Sequence, residues 1–80
     1  MNDTQIRSHI EDLIAEEHRL LEHGERAALT PSDAERLHTI EVKLDQYWDL
    51  LRQRRARRDA QQDPGATSLR PPDIVERYQQ

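Results

Sequence analysis

The sequence predicts an all-α protein: an antiparallel two-helix hairpin with a longer second helix and a short C-terminal tail, dimerising into a four-helix bundle. Three observations lead there. Apolar residues recur at helical spacing in two separate stretches. Good helix-capping residues precede each stretch. A connection of about six residues joins them, short enough to force neighbouring helices antiparallel.

The first helix is expected over residues 4–23. Asn2, Asp3 and Thr4 are all good N-cap residues, and Ile6, Ile10, Leu13, Ile14, Leu20 and Leu21 form the apolar face. Glu17 occupies the gap in that stripe and is its one polar conflict. Gly24 is placed to end the helix as a left-handed residue.

The second helix is expected over residues 31–62. Thr30 is its N-cap, Pro31 takes the first position, where its missing N–H costs nothing, and Asp33 completes a capping box. Leu37, Ile40, Leu44, Tyr47 and Leu51 form one stripe, and Pro64-Gly65 follows the end. Folding about Ala27 sets Leu13 beside Ile40, Ile10 beside Leu44 and Ile6 beside Tyr47 and Trp48. The first helix then reaches back only to the level of Leu50. The rest of helix two would overhang by about 15 Å at the standard rise.

Residues 1–63 therefore form the hairpin, and residues 64–80 a proline-containing tail. Within it, residues 73–78 make a short amphipathic segment, with Ile74, Val75 and Tyr78 on one side, suited to docking. Ile14, Leu21, Val42, Trp48 and Leu50 lie beside the main seam. That surplus calls for a second layer, most simply a homodimer.

Composition bounds function. Eighty residues with 34% hydrophobic content and no Phe sit near the limit of what can bury a core. There is no Cys, so neither a disulfide nor a thiolate metal site supplies stability. No apolar run approaches the roughly 18 residues that span a bilayer, and the N-terminus lacks the features of a signal peptide. The expected location is the cytoplasm, with no membrane partner. Net charge is −4, divided unevenly: −7 over residues 1–51 and +3 over residues 52–80. The acidic body would repel a phosphate backbone.

The strongest polar signal is Arg52, Arg54, Arg55, Arg57 and Arg58. At about 100° per residue these surround the helix and leave no face for packing. They could compensate the helix dipole, meet an acidic protein partner, or bind nucleic acid weakly and with strong salt dependence. Trp48 stands just before them, at the mouth of the hairpin, as core edge or interface anchor. Arg52, one turn on, could lie over its ring.

Catalytic motifs are absent, so the chain is expected to be no enzyme and to need no cofactor. The weak metal candidates are Glu17, Glu35 and His38, the last two as a Glu-x-x-His on a helix. Glu35 and His38 flank the apolar stripe, as a solvated face would. The readings are thus a non-enzymatic, self-associating interaction or structural module, a nucleic-acid accessory protein using residues 52–58, and a carboxylate/histidine metal bundle.

The run Leu44-Asp45-Gln46-Tyr47-Trp48-Asp49-Leu50-Leu51-Arg52-Gln53-Arg54-Arg55-Ala56-Arg57-Arg58 is similar to the signature of a known family. So are Glu16-Glu17-His18-Arg19-Leu20, Glu41-Val42, Arg70-Pro71 and Val75-Glu76 with Tyr78. The chain resembles a family of small uncharacterised actinobacterial proteins, a domain of unknown function. Cys is common there where this chain has Tyr47, which counts against a thiol-based role. The resemblance brings no activity. It implies that the tail belongs to the domain and docks.

Overall fold

A computed structural model of the chain describes residues 1–78, with side chains through Val75. Its elements are α1 (Asp3–Arg26), α2 (Pro31–Asp59), a 3-10 turn (Pro64–Ala66) and α3 (Pro72–Tyr78), with no strand among the described residues.

Both long helices begin in capping boxes. Asn2 Oδ1 accepts from the Gln5 amide at 2.8 Å, and Gln5 Oε1 accepts from the Asn2 amide at 2.9 Å. Thr30 and Asp33 exchange the equivalent pair at 3.0 and 3.4 Å. Two orphan amides at each helix start are thereby satisfied.

The helix ends differ from expectation. α1 runs through Gly24 to Arg26 and stops at Ala27, whose backbone is extended. Gly24 matters for contact instead of for a left-handed turn. A Cβ there would stand 3.0 Å from Leu29 Cγ, so the missing side chain lets the loop fold back on the last turn. α2 stops at Asp59, before Pro64. The Gln62 amide donates to the Arg57 carbonyl at 2.7 Å and the Gln61 amide to that of Arg58 at 3.0 Å. These two bonds are a Schellman motif, and they place Gln61 at φ 60°, where glycine is usual.

The two helices form the expected hairpin. Ile6, Ile10, Leu50 and Leu51 make its core, with Leu44 and Tyr47 packed against it, and Ile40 is buried further along α2. Leu50 was expected on the surplus face; it belongs to this core. The register also carries α1 about one turn further along α2 than expected. Asp3 lies beside Arg54 and Arg58, so the arginine end has partners within its own hairpin.

The tail docks in the same chain, back along α2. Arg54 Nη1 donates to the Pro64 carbonyl at 3.2 Å, Gln53 Nε2 to that of Ser68 at 3.0 Å and Gln46 Nε2 to that of Arg70 at 3.1 Å. Asp49, also buried, accepts from Gln53 at 2.9 Å and faces Arg70 at 3.5 Å. Val75 is buried and α3 packs on α2, while Ile74 stays exposed. The side chain of Tyr78 lies outside the described residues. Polar side chains of α2 thus hold the carbonyls of an extended segment that has few bonds of its own.

α2 is therefore the middle rod, with α1 on one side and the tail on another. The molecule measures 50 × 26 × 16 Å with a radius of gyration of 15.0 Å, against about 12 Å for a compact chain of this length. It is little more than one helix thick.

Candidate interaction surface

The five arginines point in different directions, and the directions divide their roles. Arg54 faces α1: its Nε donates to Asp3 Oδ1 at 2.5 Å, and Arg58 Nη1 reaches Asp3 Oδ2 at 3.0 Å. Asp3 sits in the first turn of α1, and the two arginines in the last turns of α2. Acid and bases thus lie where the two helix dipoles favour them. Hydrogen bonds from Arg54 and then Arg58 hold the Asp3 carboxyl below the usual aspartate range. Arg54 is buried, so this member of the expected anion-binding set is a structural clamp.

Arg52 and Arg55 take no part in that ion pairing but stand beside it. With Asp3, Arg7, Trp48, Leu51 and Arg58 they line an open cleft of about 170 Å³. Arg7, Arg52 and Arg55 have no ion-pair partner among the described residues. Arg57 lies elsewhere on the helix and does not line the cleft. The expected set of Arg52, Arg54, Arg55, Arg57, Arg58 and Trp48 therefore divides. Arg52, Arg55 and Trp48 share one accessible surface, which Arg7 of α1 joins.

That surface continues along the hairpin. Arg7, Ile14 and Leu21 recur every seven residues and so share one face of α1. Ile14, Leu21 and Trp48 are 37%, 50% and 42% exposed. Exposed Glu25 stands one turn beyond Leu21, on the same face. From mouth to loop this flank carries Arg7, Arg52 and Arg55, then Ile14 and Leu21 interspersed with Glu11 and His18, then Glu25. Val42, the remaining candidate for self-association, lies one turn before Gln46, on the face that receives the tail, and is partly buried.

The weak metal candidates stay apart. Glu35 and His38 are exposed, Glu17 is partly buried, and no three His, Asp or Glu side chains converge as a metal site among the described residues.

Several contacts escaped the sequence reading. His9 stacks on Tyr47 with ring centroids 5.2 Å apart and planes 5° from parallel. Glu16 and Arg36 form a bidentate pair, in which Arg36 Nη2 donates to Glu16 Oε1 at 2.8 Å. Arg36 holds the Glu16 carboxyl below its usual range, and Glu16 raises that of the guanidinium. Each is a cross-hairpin contact, legible only once the register is known. Asp49, Gln46 and Gln53 carried a weak signal: three polar residues on one helix face, facing a tail with few bonds of its own.

Comparison with known proteins adds the relationship. The chain belongs to the family described as protein of unknown function (DUF2630), whose model matches residues 2–80. It is 44% identical over 77 residues to an uncharacterised protein of Mycobacterium tuberculosis, covering 95% of this chain and 88% of that one. An uncharacterised protein of Mycobacterium bovis matches to the same extent. No solved structure matches the chain.

Proposed function

We propose that this DUF2630 protein is a non-enzymatic interaction module that self-associates, closing the flank of Ile14, Leu21 and Trp48 on a second copy. One observation carries the reading. The molecule is a single helical layer, and the tail leaves that apolar flank uncovered among the described residues.

Energetics supports it. Among the described residues, six apolar ones, Ile6, Ile10, Ile40, Leu50, Leu51 and Val75, make up the buried core. A core that small leaves an 80-residue chain marginal unless association adds buried area. Two such layers stacked face to face would make a four-helix bundle with Trp48 inside it. Trp and Arg are the residue types most often found at binding hot spots, and the cleft joins both.

The test is molar mass by light scattering across low micromolar to about 100 μM concentrations, a range set by ordinary dimer affinities. The chain weighs 9.5 kDa, so a dimer should scatter as about 19 kDa. A mass that stays at 9.5 kDa throughout would rule out the proposal.

A further inference from the structure

We propose that the cleft at the mouth of the hairpin binds a diphosphate group, held by Arg7, Arg52 and Arg55 with Trp48 at its rim. The site goes beyond the self-association proposed above and does not rest on it; the two share only Trp48.

Charge is the first support. Four arginines, Arg7, Arg52, Arg55 and Arg58, line the cleft with one acid, Asp3. That acid is already engaged by Arg54 and Arg58. Arg7, Arg52 and Arg55 form no ion pair among the described residues, although each has a carboxylate one turn away on its own helix. These are Glu11 for Arg7, Asp49 for Arg52 and Asp59 for Arg55. Asp49 is taken instead by Gln53 and Arg70. Two helices thus bring three unpaired guanidiniums to one concavity, in a chain whose net charge is −4. Like charges held together repel one another, and a bound multivalent anion removes that repulsion. A concave wall of one sign also raises the local concentration of such anions.

The donors and the size of the cleft decide which anion. A guanidinium is a planar fork that grips phosphoryl oxygens in pairs. A lone carboxylate occupies one such fork, whereas a diphosphate has oxygens for all three. The cleft holds about 170 Å³, below the roughly 300–1,000 Å³ of pockets that enclose a drug-sized ligand. It suits a compact anionic group with any organic part left outside. Leu51 and the Trp48 ring, 42% exposed, give the cleft an apolar border on which a nucleobase would stack. A nucleic-acid strand fits less well, because residues 1–51 carry a net charge of −7 and would repel phosphates running along the body.

The test is isothermal titration calorimetry of the full chain at a fixed protein concentration in about 0.1 M salt, where charges beyond about 10 Å are screened. Inorganic pyrophosphate, ADP and an oligothymidylate are the separate probes. Pyrophosphate should bind once per chain with a dissociation constant below about 1 mM. Arg52→Met and Arg55→Met should each weaken it about tenfold, through loss of one charge-assisted fork. Both side chains are exposed and unpaired, so helical circular dichroism should stay unchanged. Arg57→Met removes the same charge from the same tract but outside the cleft, and should change the constant less than about threefold. ADP binding more tightly than pyrophosphate would assign the group to a nucleotide stacked on Trp48; equal or weaker binding would assign it to free diphosphate. Three results would overturn the site: no pyrophosphate binding, binding of the oligothymidylate alone, or an Arg57→Met effect as large as those at positions 52 and 55. Each leaves self-association standing, and a chain that stays monomeric by light scattering leaves this site standing.

Discussion

Replacing Arg54 with Met should unfold the molecule from its mouth. The methionine keeps most of the apolar stem and removes the charged fork. Two bonds are lost, one to Asp3 at 2.5 Å and one to the Pro64 carbonyl at 3.2 Å. A charge-assisted hydrogen bond contributes about 1.5–3 kcal/mol. The Asp3 side chain is 32% exposed and keeps Arg58, so the low end applies. The Pro64 carbonyl still accepts from Thr67 Oγ1 at 2.7 Å, so its loss adds only about 0.5 kcal/mol. The sum is about 2 kcal/mol, or a melting point lower by about 8–16 °C for a domain of this size. Urea denaturation followed by circular dichroism at one fixed protein concentration measures it. A double-mutant cycle with Asp3→Asn should return a coupling of about 1 kcal/mol. Arg52→Met, at an exposed position, should cost less than about 0.5 kcal/mol. Equal costs at positions 52 and 54, or no coupling to Asp3, would refute the division of the arginines into clamp and surface.

Three further outcomes follow from the same contacts. Gln61→Gly relieves a left-handed residue and should stabilise by about 0.5–1 kcal/mol, seen as a higher melting point. A fall instead would mean that the Gln61 side chain holds the turn. Val75→Ala removes two methyl groups from a site only 1% exposed and should cost about 1–3 kcal/mol. Limited proteolysis should then cut residues 67–72 faster, and an unchanged digestion rate would count against docking through Val75. Acid should weaken the fold through Asp3 and Glu16, whose carboxyls are both held low by arginines. A depressed folded pKa gives stability that is complete above the unfolded value of about 4 and is lost as pH falls through the folded value. The urea midpoint should therefore drop below about pH 4, and less steeply in Asp3→Asn; equal slopes would show that Asp3 takes no part.

The local half of this fold is legible in the sequence. Asn2, Thr30, Pro31 and Asp33 announce the helix starts because capping depends only on neighbours, and the stripes of α1 and α2 identify the faces that meet. What escapes reading depends on register or on chemistry without a usual residue. A shift of one turn decides whether Arg54 overhangs or meets Asp3, and apolar spacing alone tolerates that shift. The end of α2 is hidden because Gln61 stands where glycine would mark it. Gly24 misleads for the opposite reason, since it serves a close approach by Leu29. The side chains of Gln46 and Gln53 hold carbonyls more than a dozen residues away, a pairing that no local pattern encodes. The cationic mouth was visible as a tract, but its division into clamp and surface needed Arg7 and Asp3 from the other helix.

Trp48 is the chain's single tryptophan and stands on the proposed contact face, so its fluorescence reports on the central claim directly. The measurement is the emission maximum and acrylamide quenching of Trp48 across a dilution series from about 100 μM to below 1 μM, a span set by ordinary dimer affinities. Burial by a second copy predicts blue-shifted, weakly quenched emission at high concentration. On dilution it should shift red and become quenchable, with Ile14→Asp fixed in the exposed state at every concentration. Emission that stays red and equally quenchable throughout would contradict the account, because the flank would then never be covered by another copy.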